Sequence, residues 1–461
     1  MQIKPLAAPY RPCPIIASPA GNSLAEKIGD AVNVADFPDT ILRFRNDRWA
    51  ATVGLDSLSD DAWVAHFGRF KPLSDNLPQP LALRYHGHQF RVYNPEIGDG
   101  RGFLFAQMRD HLGRCLDLGT KGTGTTPHSR RGDGRLTLKG AVREILATEM
   151  LEALGVNTSK TFSVIETGEE LWRGDEPSPT RSAAMIRLSH SHIRIGTFQR
   201  LAAIDDAGTM AQLVDYCLRE LYGVTPNDNP AAQLLELAVA KIADLAASYM
   251  VAGFVHGVLN SDNINITGES FDYGPWRFTP QWDPRFTAAY FDENGLYAFG
   301  RQAEAVHWNL GQLAVSLRLL TDAPPLIAAL EQFGDIYQSS LIRRFLWRLG
   351  LSPRSPIEDR DLIAKAERAM INAAIPIDQF FHDFQSGSLT SQHPSLAVFL
   401  AQAQDYQSAQ AQNAVYWKNN RVCSMHIDEV EAIWAAIAND DDWQPLHIKI
   451  AQIRQLGAAL A

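Results

Sequence analysis

The sequence predicts an α+β protein in which a β-rich part precedes a mainly helical part. Between residues 81 and 195, short apolar runs alternate with glycine-containing turns, as is typical of strands. After Gly196, apolar residues recur at helical spacing over most of the remaining chain. With 461 residues, 46% of them hydrophobic and 20% charged, the chain can bury enough apolar surface for two or three globular domains.

Composition narrows the classes of partner and compartment. The formal net charge of −10 argues against a nucleic acid or an anionic membrane as the main partner, so an anionic ligand needs a local basic cluster. The four cysteines are far apart and form no CxxC pair, which predicts neither zinc nor a disulfide framework. Residues 1–22 carry prolines where the apolar core of a signal peptide would lie, and no segment is apolar for long enough to span a bilayer. A reducing compartment, the cytoplasm, is expected.

Residues 1–80 are predicted to form an irregular, proline-containing extension. A strand or short helix is expected at 41–50 and a helix at 60–70. The segment 81–108 then predicts a strand, a glycine-rich turn and a second strand. Gly98 and Gly100 lie beside Arg101 in that turn, and their backbone N–H groups could approach phosphate oxygens. A single turn of this kind is a weak signal, because most such turns are only structural.

A second loop concentrates positive charge in an otherwise acidic chain. It carries Lys121, Arg130, Arg131 and Arg135. Two interpretations stay open from the residues alone: a solvated basic loop, or a phosphate clamp. In a clamp, the lysine supplies a point charge and each arginine a bidentate fork.

Residues 137–154 show the apolar spacing of an amphipathic helix that Gly155 ends. Glu144 borders the apolar stripe of this helix. It either turns inward to pair with a lysine or stays on the surface, which is the more common position for glutamate.

Most of the chain after residue 196 is predicted to be helical. Asn229 and Pro230 provide an N-cap and a first-turn proline for a long helix at 230–251. The other helices are expected at 210–222, 303–320, 325–337, 339–349, 358–375, 395–411 and 428–439.

The segment 255–275 combines acidic and amide side chains in a pattern that suits a metal–nucleotide site. Asp262 and Asn263 are followed by Asp272, which precedes Tyr-Gly. Carboxylate and amide oxygens are the ligands that a hard cation such as Mg²⁺ prefers. Taken alone, Asp262 and Asn263 would more often form an Asx turn, but the later Asp272 favours the metal interpretation.

The order of these features is that of a protein-kinase-like bilobal fold: glycine-rich turn, Lys, helix Glu, strands, helical lobe, Asn, and Asp-aromatic-Gly. His256 and Asn263 keep the spacing of the kinase catalytic loop. The kinase base then falls on Val258, which cannot accept a proton. Either the chain is an inactive kinase, or its chemistry has changed and Asp262 is the base.

The chain resembles the selenoprotein O (SelO) family of pseudokinase-fold protein adenylyltransferases. The matching motifs run in the family's order from about 84 to about 315 and are HGHQF, IGDGRG, LGTKGTGTTPHSRRGDGR, VREILATEMLEALGV, IRLSHSHIRIGTFQ, HGVLNSDNINI, DYGP and WNL. Together they are highly specific. The resemblance implies a β-rich N-lobe at 81–195 and a helical C-lobe at 196–400, between extensions at 1–80 and 401–461.

Members of this family bind ATP in a flipped orientation relative to kinases and transfer AMP to Ser, Thr or Tyr hydroxyls of proteins. The resemblance implies that Asp262 is the proton acceptor and that Asn263 and Asp272 bind Mg²⁺ or Mn²⁺. The nucleotide contacts that it implies are Gly98, Gly100, Arg101, Lys121 with its helix partner Glu144, Asp133, Gly134, Arg187, Arg194 and Asp272. The partners expected are ATP and hydroxyl-bearing proteins, including the chain itself.

Two other functions remain open. One is a phosphotransferase in which Asp262 is a displaced base, and the other is a nucleotide-binding scaffold without catalysis. The valine at 258 disfavours the kinase, and the retained metal ligands disfavour the scaffold. The two HxH pairs, at 86–88 and 190–192, lack an obvious third ligand, so packing or hydrogen bonding is expected of them rather than metal binding.

Overall fold

The strands of the protein are concentrated before its middle. The structure, a computed structural model, describes residues 10–15, 23–174, 176–409, 415–418 and 422–461, so the expectation about a signal peptide falls mainly outside this part. The strands are β1 (Gly29–Ala31), β2 (Ile41–Arg45), β3 (Leu81–Leu83), β4 (Gly87–Gln89), β5 (Val92–Asn94), β6 (Leu104–Arg109), β7 (Cys115–Lys121), β8 (Leu136–Thr137), β9 (Lys160–Leu171), β10 (Thr180–Ser189), β11 (Phe254–Val255) and β12 (Arg277–Phe278).

Among the described residues, eight of these strands form one antiparallel sheet. Its order is β1-β3-β6-β7-β10-β9-β2, with β8 paired to β10. In the β7–β10 pair, Arg187 lies opposite Gly119 and Met185 lies opposite Lys121. Because side chains alternate along a strand, residues two positions apart share a face. Arg187 and Lys121 therefore project from the same face of the sheet as diagonal neighbours.

The helices follow mostly after the sheet. They are α1 (Leu24–Ile28), α2 (Asp47–Ala50), α3 (Asp60–Phe67), α4 (Leu138–Ala153), α5 (Ile195–Ala203), α6 (Ala207–Tyr216), α7 (Pro230–Ala252), α8 (Gln302–Leu317), α9 (Ala323–Glu331), α10 (Phe333–Leu349), α11 (Pro356–Ala373), α12 (Ile377–Ser386), α13 (Pro394–Ala403), α14 (Ile427–Asp440) and α15 (Gln444–Leu460). The α+β class is confirmed. None of the helices in the described part of the chain is both long and apolar enough to cross a membrane.

The cap predicted for the long helix α7 is confirmed. Asn229 accepts a hydrogen bond from the backbone N–H of Ala232 at 3.2 Å and so caps α7, which ends at Gly253 with φ +70°. Thr137 caps α4 in the same way, through the N–H of Gly140 at 3.1 Å. The predicted boundaries of both helices agree with the structure to within a residue or two.

One predicted helix boundary is wrong. The chain was expected to break between 337 and 339, but α10 runs unbroken from Phe333 and the break falls at Gln332. Ser339 has the residue type of an N-cap, yet its hydroxyl donates to the carbonyl oxygen of Asp335 at 2.8 Å, as serines inside helices do. Phe333, the first residue of α10, stacks on His307 of α8, with ring centroids 4.6 Å apart.

Several elements carry no clear sequence signal. They are α5, α12, α15 and the separate two-stranded β4–β5 hairpin, which interrupts the expected strand-turn-strand segment. The prediction for α13 was also too long, and its final residues lie outside the described part.

The C-terminal helix α15 packs on α4, the helix that carries Glu144. Arg454 forms a bidentate ion pair with the buried Glu149, with N–O distances of 2.9 and 2.7 Å. A Cβ added at Gly457 would lie 3.2 Å from the Cα of Ala153, so the two helices are in close contact there. The end of the chain therefore helps to hold the helix that carries Glu144.

We expect Arg454→Ala to lower the free energy of unfolding by about 1–3 kcal/mol, because it leaves the Glu149 carboxylate buried with a weaker partner. The remaining cation, Arg48, is 3.8 Å away. Urea titration followed by circular dichroism measures the change. The matched control is Arg285→Ala. Because the Arg285 side chain is 95% exposed, this substitution should leave the free energy of unfolding unchanged. Equal stabilities for the two variants would contradict a structural role for the pair.

Candidate functional site

An open cleft of about 650 Å³ brings most of the predicted site residues together. Eight basic side chains and four carboxylates line it, so its lining is positive in a chain of net charge −10. The predicted residues in its lining are Gly98, Gly100, Arg101, Lys121, Asp133, Gly134, Arg187, Arg194, Asp262 and Asp272. Glu144 lies behind Lys121, and Asn263 lies beside Asp262 outside the lining.

Lys121, at the end of β7, connects the sheet to the helix α4. Its ammonium group forms a hydrogen-bonded ion pair with Glu144 and lies 3.1 Å from a carboxylate oxygen of Asp272. Glu144 is 1% exposed, so it takes the inward orientation of the two that the sequence allowed. Two carboxylates thus fix the position of one buried ammonium group.

Asp272 lies at the centre of the positive cluster. One of its oxygens is 3.4 Å from Arg187 and the other is 3.9 Å from Arg194, in addition to the contact with Lys121. Burial alone would raise the pKa of this carboxyl group, but the three cations outweigh burial and hold the pKa well below its usual range. Asp272 also has φ +64°, a left-handed conformation that non-glycine residues adopt at some cost. The surrounding cations therefore favour the ionised form of Asp272.

The two arginines are buried and held in different ways. Arg194 lies over the ring of Tyr85 at 4.1 Å, pairs with Asp99 at 3.2 Å, and donates to the carbonyl oxygen of Asp262 at 3.1 Å. Arg187 has a buried Nε with no hydrogen-bond partner among the described residues. A buried guanidinium N–H without an acceptor indicates a place for an anion.

The glycine-rich loop is shaped by close packing and not by left-handed turns. A Cβ at Gly98 would overlap the ring of His128, one at Gly102 would overlap the carbonyl oxygen of Thr120, and one at Gly100 would lie 2.9 Å from the carbonyl oxygen of His128. The loop therefore lies against the basic loop that follows β7. Only glycine permits this approach.

The basic loop is partly neutralised within the protein. Arg135 pairs with Glu169 at 2.7 Å, and Asp133 pairs with Arg173 at 2.8 Å. The pKa of Asp133 is lowered, since the contacts with Arg173 and the N–H of Arg135 outweigh its partial burial. Arg130 and Arg131 remain exposed at the cleft, so they are the cations of this loop that are free to meet a phosphate.

Asp262 differs from Asp272 in its environment. It lies in the single 3₁₀ turn Ser261–Asn263, is 8% exposed, and has a buried Oδ1 with no hydrogen-bond partner in the part of the chain that the structure describes. Burial raises the pKa of this carboxyl group to about 6, although the nearby Arg194 opposes the shift. A carboxyl group with such a pKa is able to accept a proton near neutral pH.

Asn263 is fixed by a hydrogen bond from its amide nitrogen to the carbonyl oxygen of Val258 at 3.0 Å. This orientation leaves the amide oxygen as the atom able to bind a cation. Among the described residues there is no group of three or more His, Cys, Asp or Glu arranged to hold a metal ion. An amide oxygen and an ionised carboxylate nevertheless suit Mg²⁺ when phosphate oxygens complete its shell, so the residues present fit such an ion.

Three residues that were not predicted also contact the predicted site. Asp99 and Tyr85 hold Arg194, and Gln89 of β4 lines the cleft beside Asp262. The position of Asp99 between Gly98 and Gly100 is the one sequence feature that could have placed it at the site. In the first HxH pair, His86 contacts the hydroxyl of Tyr93 at 2.6 Å and His88 contacts Gln199 at 2.6 Å, so both rings are hydrogen-bonded. In the second pair, the ring nitrogens of His192 are buried without a hydrogen-bond partner among the described residues, so this ring is packed in the interior.

Comparison with known proteins gives one consistent result. The family described as protein adenylyltransferase SelO matches residues 15–454. The chain is 42% identical over 475 residues to a protein nucleotidyltransferase YdiU of Synechococcus elongatus, covering 96% of each chain. It is 41% identical to the protein of that name from Synechocystis, covering 95% of this chain and 97% of the relative. A relative from Pseudomonas aeruginosa is 35% identical over 362 residues. The cleft also contains most of the charged residues that the motifs predicted. These matches show that the chain belongs to the SelO family of protein adenylyltransferases.

Proposed function

We propose that the protein transfers AMP from ATP to Ser, Thr or Tyr hydroxyls of target proteins, including its own, with ATP flipped relative to a kinase. Two observations together carry the proposal. Asp262, which could accept a proton, lines the cleft, and Val258 occupies the position of the kinase base. We also propose the kinase-like bilobal division, with lobes at 81–195 and 196–400 and extensions at 1–80 and 401–461. The four cysteines are free, which agrees with a cytoplasmic location.

The transfer is a displacement at the α-phosphorus. The acceptor oxygen bonds to this phosphorus as the bond to the oxygen bridging the α- and β-phosphates breaks, and pyrophosphate leaves. The proton of the hydroxyl passes to Oδ1 of Asp262, the atom that lacks a hydrogen-bond partner among the described residues. The products are an AMP-modified side chain, pyrophosphate and one proton.

The positive cluster balances the charge that moves in this step. Lys121, Arg187 and Arg194 are buried cations held in place before the nucleotide arrives, so little reorganisation is needed when charge develops on the phosphates. The glycine-rich loop would hold the rest of the nucleotide, through the side chain of Arg101 and the backbone of Gly98 and Gly100. Asp133 and Gly134 would contact it from the neighbouring loop.

Asn263 and Asp272 would hold Mg²⁺, or Mn²⁺ in its place. The ion would supply charge neutralisation at the phosphates. Asp272 is suited to this role because its three cationic neighbours keep it ionised.

ATP labelled on either the α- or the γ-phosphate separates the proposed activity from its rivals. With MgCl₂, we expect label on protein only from α-labelled ATP. Label only from γ-labelled ATP would show a kinase, and nucleotide binding without transfer would show a scaffold.

Asp272→Ala should abolish transfer. Full activity in this variant would show that Asp272 is not a metal ligand.

The rate should depend on pH through Asp262. Its pKa is about 6 in the free protein, so kcat/KM should fall as the pH is lowered through about 6, where the carboxylate becomes protonated, and should level off above it. Asp262→Asn should lower kcat by roughly 10²–10⁴-fold at pH 8, as expected for loss of a general base. Initial rates between pH 5 and 8.5 at MgATP concentrations well below KM give kcat/KM, and rates of the Asp262→Asn variant at saturating MgATP give kcat. A flat profile with an active Asp262→Asn variant would exclude Asp262 as the proton acceptor.

Arg187→Ala and Arg194→Ala should each weaken MgATP binding by about tenfold or more, because each removes a buried charged donor. Isothermal titration calorimetry measures the dissociation constant. Arg219→Ala is the control, since Arg219 is 51% exposed and lies outside the cleft. Melting temperatures identify any loss of folding, above all for Arg194, which also holds Asp99. Unchanged affinity in both cleft variants would contradict the proposed nucleotide position.

A further inference from the structure

Strand β4 lies directly against the loop that carries Asp262. The backbone N–H of His88 donates to the hydroxyl of Ser261 at 2.7 Å, and the N–H of Phe90 donates to Oδ1 of Asn260 at 3.0 Å. These hydrogen bonds attach the strand and the residue after it to the two residues that precede Asp262. The position of β4 relative to the proposed proton acceptor is therefore fixed.

Gly87 of β4 leaves room for the carboxyl group of Asp262. A Cβ added at Gly87 would lie 2.9 Å from Oδ1 and 3.1 Å from Cβ of Asp262, and 2.8 Å from Cδ1 of Ile97. Any side chain at this position would therefore displace Asp262 or Ile97. The φ angle of Gly87 is not in the left-handed region, so its backbone conformation does not itself require glycine. Glycine is required here because the carboxyl group lies so close.

Gln89 follows Gly87 on the same face of β4, because side chains alternate along a strand. Asn94 of β5 lies opposite Gly87, and its Nδ2 donates to Oε1 of Gln89 at 3.1 Å. Since Oε1 is the acceptor in that bond, Nε2 is the atom of Gln89 that remains to donate. Burial is the largest influence on the pKa of Asp262 and raises it, whereas the side chain of Gln89, beside it at the cleft, lowers it.

The charged and titratable groups that face Asp262 come from other parts of the chain. Arg194 lowers the pKa of Asp262, and Asp272 raises it. Tyr85 and Tyr297 also lie near, and burial raises the pKa of each hydroxyl, so both are neutral at the pH where Asp262 titrates. In the proposed function Arg194 and Asp272 meet the phosphates and the metal ion. Gln89 is then an uncharged donor that stays with Asp262 throughout the reaction.

We propose that the face of β4 formed by Gly87 and Gln89 positions the proton acceptor. Gly87 leaves the space that the carboxyl group of Asp262 occupies, and Nε2 of Gln89 donates to the ionised carboxyl group during the transfer. This inference rests on the proposed function, in which Asp262 accepts the proton of the hydroxyl. Both residues act through Asp262, so the rate and its pH dependence should change with them while the affinity for MgATP should not.

Gln89→Met tests the donor, because methionine is also unbranched but carries no amide. With α-labelled ATP and dephosphorylated casein as the acceptor, the pH profile of kcat/KM should move to higher pH by about half a unit or more. The direction follows from the charge: loss of a donor to the carboxylate raises the pKa of Asp262, so a higher pH is needed to ionise it. The dissociation constant of MgATP should be unchanged.

Gln89→Glu should move the profile further in the same direction, by about one unit or more, because a second carboxyl group disfavours ionisation of the first. The control is Gln338→Met, since Gln338 is exposed on α10 and lies outside the cleft. Its profile should match that of the wild type.

Gly87→Ala tests the space. Its kcat should fall by about tenfold or more with an unchanged dissociation constant of MgATP, because the added methyl group displaces the carboxyl group. Gly311→Ala in α8 is the control, since a Cβ there meets nothing within 4 Å, and its kcat should be that of the wild type. Adding Ile97→Val to Gly87→Ala removes only the contact with Ile97, so kcat should stay low.

A profile that both Gln89 variants leave at the wild-type pH would overturn the role of Gln89. Weaker binding of MgATP by Gln89→Met with an unmoved profile would also overturn it, since Gln89 would then be a nucleotide contact. Full kcat in Gly87→Ala, or its complete recovery on adding Ile97→Val, would overturn the role of Gly87. Melting temperatures show whether Gly87→Ala folds, and if it does not, the Gln89 variants decide the proposal.

Failure of the proposed function gives a different result. Absence of label from α-labelled ATP on casein and on the wild-type protein itself would refute the adenylyltransferase activity. A flat wild-type profile with an active Asp262→Asn variant would refute Asp262 as the proton acceptor. Either outcome would overturn the role of β4 as well, whereas a wild-type profile that falls near pH 6 and does not respond to Gln89 overturns that role alone.

Discussion

The site depends on one arrangement: an ionised carboxylate held among three buried cations. Lys121, Arg187 and Arg194 are each about 3–5% exposed, and buried charges are stable only when they are paired. Asp272, together with Glu144 behind Lys121, provides the opposite charge. The protein can thus keep a concentrated positive cluster inside a chain whose net charge is −10. Because carboxylates of the chain itself hold these cations, little reorganisation is needed when phosphate binds.

Two carboxylates in the same loop region have opposite pKa shifts, and this difference supports their proposed roles. Asp272 has its pKa lowered because cations surround it, which suits a metal ligand that must stay ionised. Asp262 has its pKa raised to about 6 because burial dominates over its contact with Arg194, which suits a group that exchanges a proton. Pairs of acids with diverging pKa values are a common basis for separating ligand and base in an active site.

The sequence allowed the main parts of this arrangement to be predicted, because its signals are local. Apolar spacing identifies α4 and the cap at Asn229 identifies α7, and the order of Lys121 and Glu144, which are 23 positions apart, indicates their pairing. The β4–β5 hairpin was missed because its turn residues, Phe90 and Arg91, are not those that such a turn favours.

Contacts between distant positions could not be read in the same way. Arg194 meets Asp99 across 95 positions, and Arg454 meets Glu149 across 305. No periodicity encodes these partners, since each depends on how sheet and helices pack. Helix α5 shows the same limit: six of its nine residues are buried, and these include the polar Thr197 and Gln199, so the polarity of the sequence does not mark its buried residues.

Helix α5 also connects the loop that carries Asp262 to the β4–β5 hairpin. Gln199 of α5 contacts His88 at 2.6 Å and accepts a hydrogen bond from the hydroxyl of Ser261 at 2.5 Å, while Ser261 accepts from the N–H of His88. Asn260 closes a second link, since its Oδ1 accepts from the N–H of Phe90 and from the hydroxyl of Tyr297 at 2.6 Å. The hairpin and the loop that carries Asp262 are therefore held in a fixed position relative to each other. For a displacement whose rate depends on sub-ångström placement of the reacting atoms, this network of hydrogen bonds keeps the proposed proton acceptor in place.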